Sequence, residues 1–195
     1  MNTCRSLLYY WLFSLVFITS ATATSEIDIL KKKAQAGDAR AQADLANCYF
    51  WGKGVKQDPV KAFEWFEKSA EQGDAVGQNG LGTCHGLGIG TKVDEKKATK
   101  YFLESAEQGN AEAQYALGFN YYFGKGVSKD YAKSITWLKK SADQGNANAQ
   151  NLLAACYFYG HGVEKNGEKS VEYLKKASAQ GHEEAKKTLM QMEKK

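Results

Sequence analysis

The sequence predicts an all-α solenoid, in which antiparallel helix pairs stack with a period of 36 residues. Glycines recur in two registers, and the low proline content agrees with a helical chain: one proline in 195 residues. In the first register, a glycine follows a three-residue segment such as AEQ, and these glycines are Gly37, Gly73, Gly109, Gly145 and Gly181. The second opens G-x-G pairs at Gly52, Gly88, Gly124 and Gly160. A fixed period of this length indicates stacked supersecondary units.

Residues 1–23 have the pattern of an export signal. Arg5 precedes an apolar run from Leu7 to Ile18, and Ala21-Thr22-Ala23 is a small-x-small cleavage pattern. The alternative is an uncleaved membrane anchor, but the run is shorter than the ~20 residues that span a bilayer. We therefore expect cleavage after Ala23, no stable membrane anchor afterwards, and a periplasmic or secreted protein.

Residues 24–195 are predicted to form one repeat domain. Its parts are a half-repeat at 27–37, repeats at 38–73, 74–109, 110–145 and 146–181, and a capping helix at 182–195. The last segment, HEEAKKTLMQMEKK, is polar on most faces, as the open end of a solenoid requires.

Each repeat is predicted to contain two helices, called A and B. Helix A follows a short polar N-cap and ends at the G-x-G pair, where glycine takes a left-handed conformation without strain. Helix B follows a second cap, and Pro59 suits its first position. The predicted caps are Asp38, Asp74, Asn110 and Asn146 for helix A, and Asp58, Asp94, Asp130 and Asn166 for helix B.

The second repeat departs most from the others. His85 stands where the other repeats have tyrosine, and Gly77, Gly80 and Gly86 fall within helix A. Because a glycine inside a helix costs several tenths to ~1 kcal/mol relative to alanine, we expect this helix to be the softest part of the stack.

The stretch GNAEAQYALGFNYYFGKGVSKDYAKSITWLKKSADQG resembles a Sel-1-like repeat, a relative of the tetratricopeptide repeat. The resemblance extends from Ile27 to about Met192. It implies a right-handed α-superhelix that acts as a protein-binding scaffold and has no catalytic residues. The expected partner is a protein or peptide held in the concave groove, and the expected state is a monomer.

Cys48, Cys84 and Cys156 occupy one position of helix A, which Asn120 takes in the third repeat. Packed helices lie ~8–10 Å apart, whereas a disulfide needs Cα atoms within about 7 Å. We therefore expect buried free thiols. The resemblance includes a cysteine-rich branch that pairs a helix B cysteine with the next helix A. The corresponding positions here are Ser69, Ser105, Ser141 and Ala177.

The sequence gives little support for a metal site or for nucleic-acid binding. Cys84-His85, and Cys156 with His161, match no zinc-ligand spacing, so we expect no metal and no cofactor. The 26 basic and 22 acidic residues are mixed along the chain, which argues against nucleic-acid binding.

A non-enzymatic scaffold is therefore expected. The alternative is a cell-wall amide or β-lactam hydrolase, an activity linked to the cysteine-rich branch. The Ser-x-x-Lys arrangement of such enzymes does not occur in this sequence.

A second stripe of helix A supplies candidate partner-binding residues. Tyr115, Phe119, Tyr122 and Phe123 follow the i, i+4, i+7, i+8 spacing. In the related tetratricopeptide solenoids this face lines the groove. For these four rings, binding and packing between repeats remain alternatives, whereas Phe50, Tyr121 and Phe158 are expected to pack. The complete candidate set is Arg40, Asn47, Trp51, Asn79, Glu112, Tyr115, Phe119, Tyr122, Phe123, Asn151 and Tyr159.

Overall fold

The computed structural model describes residues 26–192, and every regular element in that range is an α-helix. The elements are α1 (26–35), α2 (Ala39–Trp51), α3 (Pro59–Glu71), α4 (Ala75–Leu87), α5 (Glu95–Glu107), α6 (Ala111–Phe123), α7 (Tyr131–Asp143), α8 (Ala147–Tyr159), α9 (Gly167–Ala179) and α10 (Glu183–Met192). Helices A are α2, α4, α6 and α8, and helices B are α3, α5, α7 and α9. The predicted all-α solenoid is confirmed. The predicted export signal lies outside the described residues.

All eight predicted N-caps are confirmed. The carboxylate of Asp38 accepts a hydrogen bond from the backbone of Ala41 at 2.7 Å, and that of Asp130 accepts one from Lys133 at 3.0 Å. The remaining caps are Asp58, Asp74, Asp94, Asn110, Asn146 and Asn166. Each helix A ends at a glycine with positive φ, such as Gly124 at +75°. Local signals at both ends therefore set the length of each helix, which is 13 residues throughout α2–α9.

Buried glutamines join neighbouring helices. Gln114 in α6 donates to the carbonyl of Ala106 in α5 at 3.1 Å and accepts from Gln144, the C-cap residue of α7, at 2.8 Å. The same pairing of glutamines recurs as Gln72–Gln42 at 2.7 Å, Gln108–Gln78 at 2.6 Å and Gln180–Gln150 at 2.9 Å. Because both the donor and the acceptor of the buried amide find partners, its desolvation cost is offset.

The cysteine position lies in the core. Cys84 and Cys156 are fully buried and Cys48 is half-buried, all three as free thiols. Asn120 takes this position in the third repeat, and its amide donates to the hydroxyl of Thr99 in α5 at 2.8 Å. The polar residue therefore has a polar partner on the preceding helix B.

Two glycines of α4 lie against aromatic rings of the neighbouring helices. A Cβ on Gly80 would overlap the ring of Phe66 in α3, and one on Gly82 would lie 2.8 Å from the ring of Phe102 in α5. Helix propensity alone would make α4 the softest helix. In the structure, the low helix propensity of these glycines is offset by packing, because they let aromatic rings lie directly on the backbone of α4.

In the last three repeats, the second glycine of the G-x-G turn lies against the backbone of the preceding repeat. At Gly126 φ is +67°, and an added Cβ would overlap the carbonyl oxygen of Glu95, the first residue of α5. Gly90 and Gly162 approach the carbonyls of Pro59 and Tyr131 in the same way. The sequence predicted these glycines as helix ends, and the structure shows that they also permit close stacking of the repeats.

We predict that Gly126→Ala destabilises the protein more than Gly124→Ala. Both glycines have positive φ, which costs an alanine about 1–2 kcal/mol, but the Cβ at Gly124 would meet its neighbours at an ordinary 3.5 Å. The overlap with Glu95 adds a cost of about 1–3 kcal/mol at Gly126 only. Urea denaturation measures both free energies of unfolding. Equal losses would show that the turn does not constrain stacking.

We also predict that the three described cysteines differ in reactivity. Burial raises the pKa of all three thiols, and for the fully buried Cys84 and Cys156 it raises the pKa to about 12, so that these two are both inaccessible and almost fully protonated at neutral pH. A maleimide reagent at pH 7.5 should therefore modify Cys48 in the folded protein, and all three thiols only after unfolding. Peptide mass mapping identifies the modified residues. A disulfide among them, or equal labelling in the folded state, would contradict this account.

Candidate functional site

The last residue of each helix A is apolar and exposed. These four residues, which we call the apolar row, are Trp51 (65% exposed), Leu87 (68%), Phe123 (49%) and Tyr159 (58%). Each immediately precedes the glycine that ends its helix, so the end of every helix A presents the same kind of side chain. Trp51, Phe123 and Tyr159 are among the candidates predicted from the sequence, whereas Leu87 is not. We call the surface formed by these ends and by the second stripe of helices A the A face.

Four aromatic rings of α6 run from the core to the A face. The ring centroids of Tyr115 and Phe119 are 6.1 Å apart, those of Phe119 and Phe123 4.5 Å, and those of Phe123 and Tyr122 4.7 Å. Tyr115 packs against the core cluster of the last two repeats, and burial raises the pKa of its phenol. The ammonium of Lys125 lies 5.4 Å from the centroid of Phe119.

Tyr122 packs between the third and fourth repeats. Its hydroxyl is hydrogen-bonded to Nδ1 of His161 at 2.8 Å, and its ring packs against that of Tyr131 with centroids 5.2 Å apart. Phe50 packs on Phe66 in the first two repeats, as expected.

The expected packing of Phe158 is wrong, because this ring is 48% exposed. In the fourth repeat it lies on the A face beside Tyr159, with the two ring centroids 5.0 Å apart.

Two charged candidates differ in their surroundings. Arg40 is exposed and forms an ion pair with Asp44 at 3.3 Å. Glu112 is exposed and accepts a hydrogen bond from Asn146 at 2.9 Å. The positive charge of Arg40 is thus paired with a carboxylate of its own helix.

Three asparagine candidates, Asn47, Asn79 and Asn151, are half-buried on helices A. Asn151 lines the larger of the two cavities described next. Asn79 holds the equivalent position two repeats earlier.

Two apolar cavities open on the A face, one between α4 and α6 and the other between α8 and α10. The larger, of ≈ 720 Å³, lies among α8, α9 and α10 and is lined by Asn151, Ala154, Ala155, Phe158, Tyr159, Ser170, Leu174, Glu184, Thr188, Gln191 and Met192. The smaller, of ≈ 310 Å³, lies among α4, α5 and α6 and is lined by Thr83, Gly86, Leu87, Glu95, Ala98, Phe102, Tyr115, Ala116, Phe119, Asn120 and Lys125.

The two cavities occupy the same position two repeats apart. Their floors are formed by corresponding residues of helix B, Phe102 in one and Leu174 in the other. Their rims carry corresponding members of the apolar row, Leu87 and Tyr159. We call α4–α6 and α8–α10 the open interfaces.

The intervening interfaces are closed. Helices α2 and α4 contact each other, as do α6 and α8, whereas contacts across the open interfaces are sparser. Phe50 and Tyr122 fill the two closed interfaces. Gly86 takes the equivalent position at the first open interface, and Phe158 lies at the rim of the second. One position of helix A therefore distinguishes the two kinds of interface.

Reactive groups lie away from these cavities or deep in the core. His85 is buried, stacks on Tyr101 with centroids 5.8 Å apart, and has its pKa lowered by burial and by Lys97. Within residues 26–192 no three His, Cys, Asp or Glu side chains are grouped to hold a metal ion. Among the described helices, none has the length and hydropathy of a membrane span. The cavities therefore offer apolar binding with amide and carboxylate groups at the rims.

Several solved structures are similar to this chain. A Sel1 repeat protein from Oxalobacter formigenes is 35% identical, with a TM-score of 0.72 over 85% of this chain and 48% of that one. A protective antigen with an SLR fold from uropathogenic Escherichia coli is 31% identical, with a TM-score of 0.67 over 85% and 43%. Helicobacter pylori cysteine rich protein B is 26% identical, with a TM-score of 0.53 over 69% and 97%. The chain thus spans less than half the length of the first two proteins.

No curated protein matches the sequence significantly. The model of the Sel1 repeat matches four consecutive segments, residues 39–74, 75–110, 111–146 and 147–182. These segments account for most of the chain and coincide with the four described helix pairs. The protein belongs to the Sel1 repeat family.

Proposed function

We propose that this Sel1 repeat protein is an exported, non-enzymatic scaffold that binds a segment of a partner protein along its A face. One observation carries the proposal. The apolar row, contributed by all four repeats, lies beside cavities that open on the same face.

The apolar row differs from singly exposed apolar residues, because a large apolar side chain is exposed at the same position of all four repeats. Contiguous apolar patches on soluble proteins commonly mark interaction sites. Tryptophan and tyrosine are enriched among the residues that contribute most to protein–protein affinity, since they bury a large area with few rotatable bonds. Trp51 and Tyr159 stand at opposite ends of the row, so a partner segment that follows it contacts every repeat.

Polar groups on the A face suit a peptide backbone. An asparagine side chain can donate hydrogen bonds to a peptide carbonyl and accept one from a peptide N–H. Asn79 and Asn151 are half-buried at corresponding positions, and Asn151 faces a cavity. A segment bound between helices A would therefore find apolar contacts and backbone partners together.

The export part of the proposal rests on the first 23 residues. They combine Arg5, the apolar run from Leu7 to Ile18 and the Ala21-Thr22-Ala23 pattern. The partner is accordingly expected outside the cytoplasm, in the periplasm or the secreted space.

The hydrolase alternative has no comparable support. Three serines occupy the helix B positions of the cysteine-rich branch, but their hydroxyls donate to carbonyls of helix A. The bonds are Ser69 to Ala39 at 2.7 Å, Ser105 to Ala75 at 2.6 Å and Ser141 to Ala111 at 2.7 Å. All three side chains are buried, so they stabilise the helix pairs rather than face a substrate.

We predict that replacing Phe123 and Tyr159 together by serine abolishes partner capture without unfolding the protein. Removing a central aromatic contact typically weakens binding by ~2 kcal/mol or more, whereas exposed substitutions change stability by only ~0.5 kcal/mol. Affinity capture from a periplasmic extract with quantitative mass spectrometry should show at least about a tenfold loss of the partner.

The control for this experiment is Val60→Ser with Val93→Ser, which removes two exposed apolar side chains outside the apolar row. It should leave capture unchanged. Equal losses in both variants, or a melting temperature lowered by many degrees in the first, would argue against binding by the A face.

We predict that the exported protein begins at Thr24. The intact mass of protein recovered from the periplasm or the medium decides this. A mass that retains residues 1–23 would contradict cleavage and favour the membrane-anchor alternative.

A further inference from the structure

We propose that His85 is an acid-sensitive switch, because protonation of its buried imidazole loosens the packing of α4 between α3 and α5. The part of the A face that α4 contributes is loosened with it. The effect on stability stands by itself, whereas the effect on partner binding rests on the proposed function.

His85 occupies a position that holds tyrosine in the other three repeats, as Tyr49, Tyr121 and Tyr157. In each of those repeats a lysine of the following helix B places its ammonium over the tyrosine ring. The distances to the ring centroids are 5.5, 5.4 and 5.4 Å. Because the face of an aromatic ring is negative, the ammonium is attracted to the tyrosine.

The second repeat keeps the lysine but not the tyrosine. Lys97 of α5 holds the position of the other three lysines, and its positive charge disfavours protonation of His85. A proton on the imidazole would therefore place two positive charges side by side. The neutral imidazole avoids this repulsion.

The imidazole of His85 is enclosed by the two neighbouring helices B. His85 is 7% exposed, stacks on Tyr101 of α5, and meets Phe63 of α3 edge to face with ring centroids 5.6 Å apart. In the described part of the chain, its Nδ1 is the only buried side-chain nitrogen or oxygen without a hydrogen-bond partner. Charging a buried group without such a partner is unfavourable, so the packing selects the neutral form.

Two carboxylates near the ring act in the opposite direction. Asp94, the N-cap of α5, and Glu67 of α3 both favour the protonated imidazole. The carboxylate of Asp94 already accepts a hydrogen bond from the backbone N–H of Lys97 at 2.9 Å. Burial has the largest effect, and together with Lys97 it holds the pKa of His85 below its ordinary value.

A lowered pKa makes stability depend on pH in a defined direction. A histidine in the unfolded chain binds its proton near pH 6.5, whereas the folded protein binds the same proton only at lower pH. The contribution of His85 to stability is therefore complete above about pH 6.5 and is lost as the pH falls below that value. Aspartate and glutamate titrate mainly below about pH 5, so the histidines dominate the response above it.

The packing of His85 is coupled to the A face through the backbone of α4. Its carbonyl accepts a hydrogen bond from the backbone N–H of Asp94 at 2.8 Å, which joins the end of α4 to the start of α5. Gly86 and Leu87 follow directly and line the smaller cavity. Because α4 is rich in glycine, it depends on tertiary packing more than on helix propensity. Loss of packing at His85 therefore loosens this end of the helix.

Thermal unfolding at pH 7.5 and pH 5.5 tests the switch, with His85→Tyr as the matched variant. The variant restores the residue of the other repeats, and Tyr157 stacks on Tyr173 with centroids 5.7 Å apart, close to the 5.8 Å between His85 and Tyr101. Between the two pH values, the melting temperature of the wild-type protein should fall by at least about 2 °C more than that of the variant. A modest loss of stability produces a shift of this size in a domain of this length.

The other two histidines of the sequence serve as controls. His161 is hydrogen-bonded to the hydroxyl of Tyr122 at 2.8 Å, and His182 accepts a hydrogen bond from the backbone N–H of Ala185 at 3.2 Å. His161→Gln and His182→Asn should therefore keep the wild-type response to acid. Loss of the response in either control would assign it to a residue other than His85.

Hydrogen–deuterium exchange locates the response within the stack. Protection factors of peptides from α4 should decrease at least about threefold from pH 7.5 to pH 5.5 in the wild-type protein, because local opening becomes easier there. The same peptides of His85→Tyr should keep their protection, as should peptides from α8 in both proteins. An equal decrease in α4 and α8 would contradict a switch in the second repeat.

Partner capture at the two pH values separates the switch from the proposed function. Acid should weaken capture by the wild-type protein and not by His85→Tyr. An equal acid loss in both would show that His85 does not control the A face. Absence of capture at either pH would refute the scaffold function and leave the stability result in place.

The melting experiment alone can overturn the switch. Equal pH responses of the wild-type protein and His85→Tyr would refute it. A wild-type protein that becomes more stable at pH 5.5 would show that Asp94 and Glu67 determine the charge of the imidazole. If His85→Tyr does not fold, His85→Phe provides the same comparison, since its ring cannot be protonated either.

Discussion

The contact between the G-x-G turns of the last three repeats and the preceding helix B sets the geometry on which the rest of the structure depends. Gly126 lies so close to the carbonyl of Glu95 that any side chain would separate the two repeats. With the step between repeats fixed in this way, the amides of Gln42, Gln114 and Gln150 can donate to carbonyls of the preceding helix at 3.1–3.3 Å. A regular step also brings equivalent positions of helices A into line, which is the condition for a continuous binding face.

Within this regular frame, functional differences arise from a few substitutions. The backbone of all four repeats is nearly the same, with 13-residue helices and the same caps. The position of Phe50, Gly86, Tyr122 and Phe158 decides whether an interface between helices A is filled or open. Sel1 repeat proteins are generally scaffolds for protein interactions, and the arrangement here fits that role. The stacking contacts hold the scaffold, while side chains at a few variable positions shape the surface offered to a partner.

Local signals allowed the sequence to predict helices, caps and period, because each depends on residues within one turn of the chain. Trp51, Phe123 and Tyr159 were candidate binding residues, but whether their side chains are exposed was left open. The cavities could not be predicted, because each needs the relative positions of three helices. Phe158 illustrates the difference. Phe158 holds the same position in its repeat as Phe50. The next helix A differs, because α4 has Gly80 against the ring of Phe66 and α10 has Thr188 at the corresponding position. The surface beside Phe158 therefore differs from the surface beside Phe50. Comparing each residue of one helix A with its facing residue in the next would have identified Gly86 as the residue that leaves an interface open.

Photo-crosslinking in cells tests the binding of a partner along the A face most directly. A photoreactive amino acid would replace Leu87 or Tyr159 on the A face, and Lys139 or Lys175 on the exposed side of helices B. The account predicts adducts from both A-face positions with one short segment of the same partner protein, and little crosslinking from helices B. Equal crosslinking from Lys139 and Lys175, or adducts from Leu87 and Tyr159 with unrelated proteins, would contradict it.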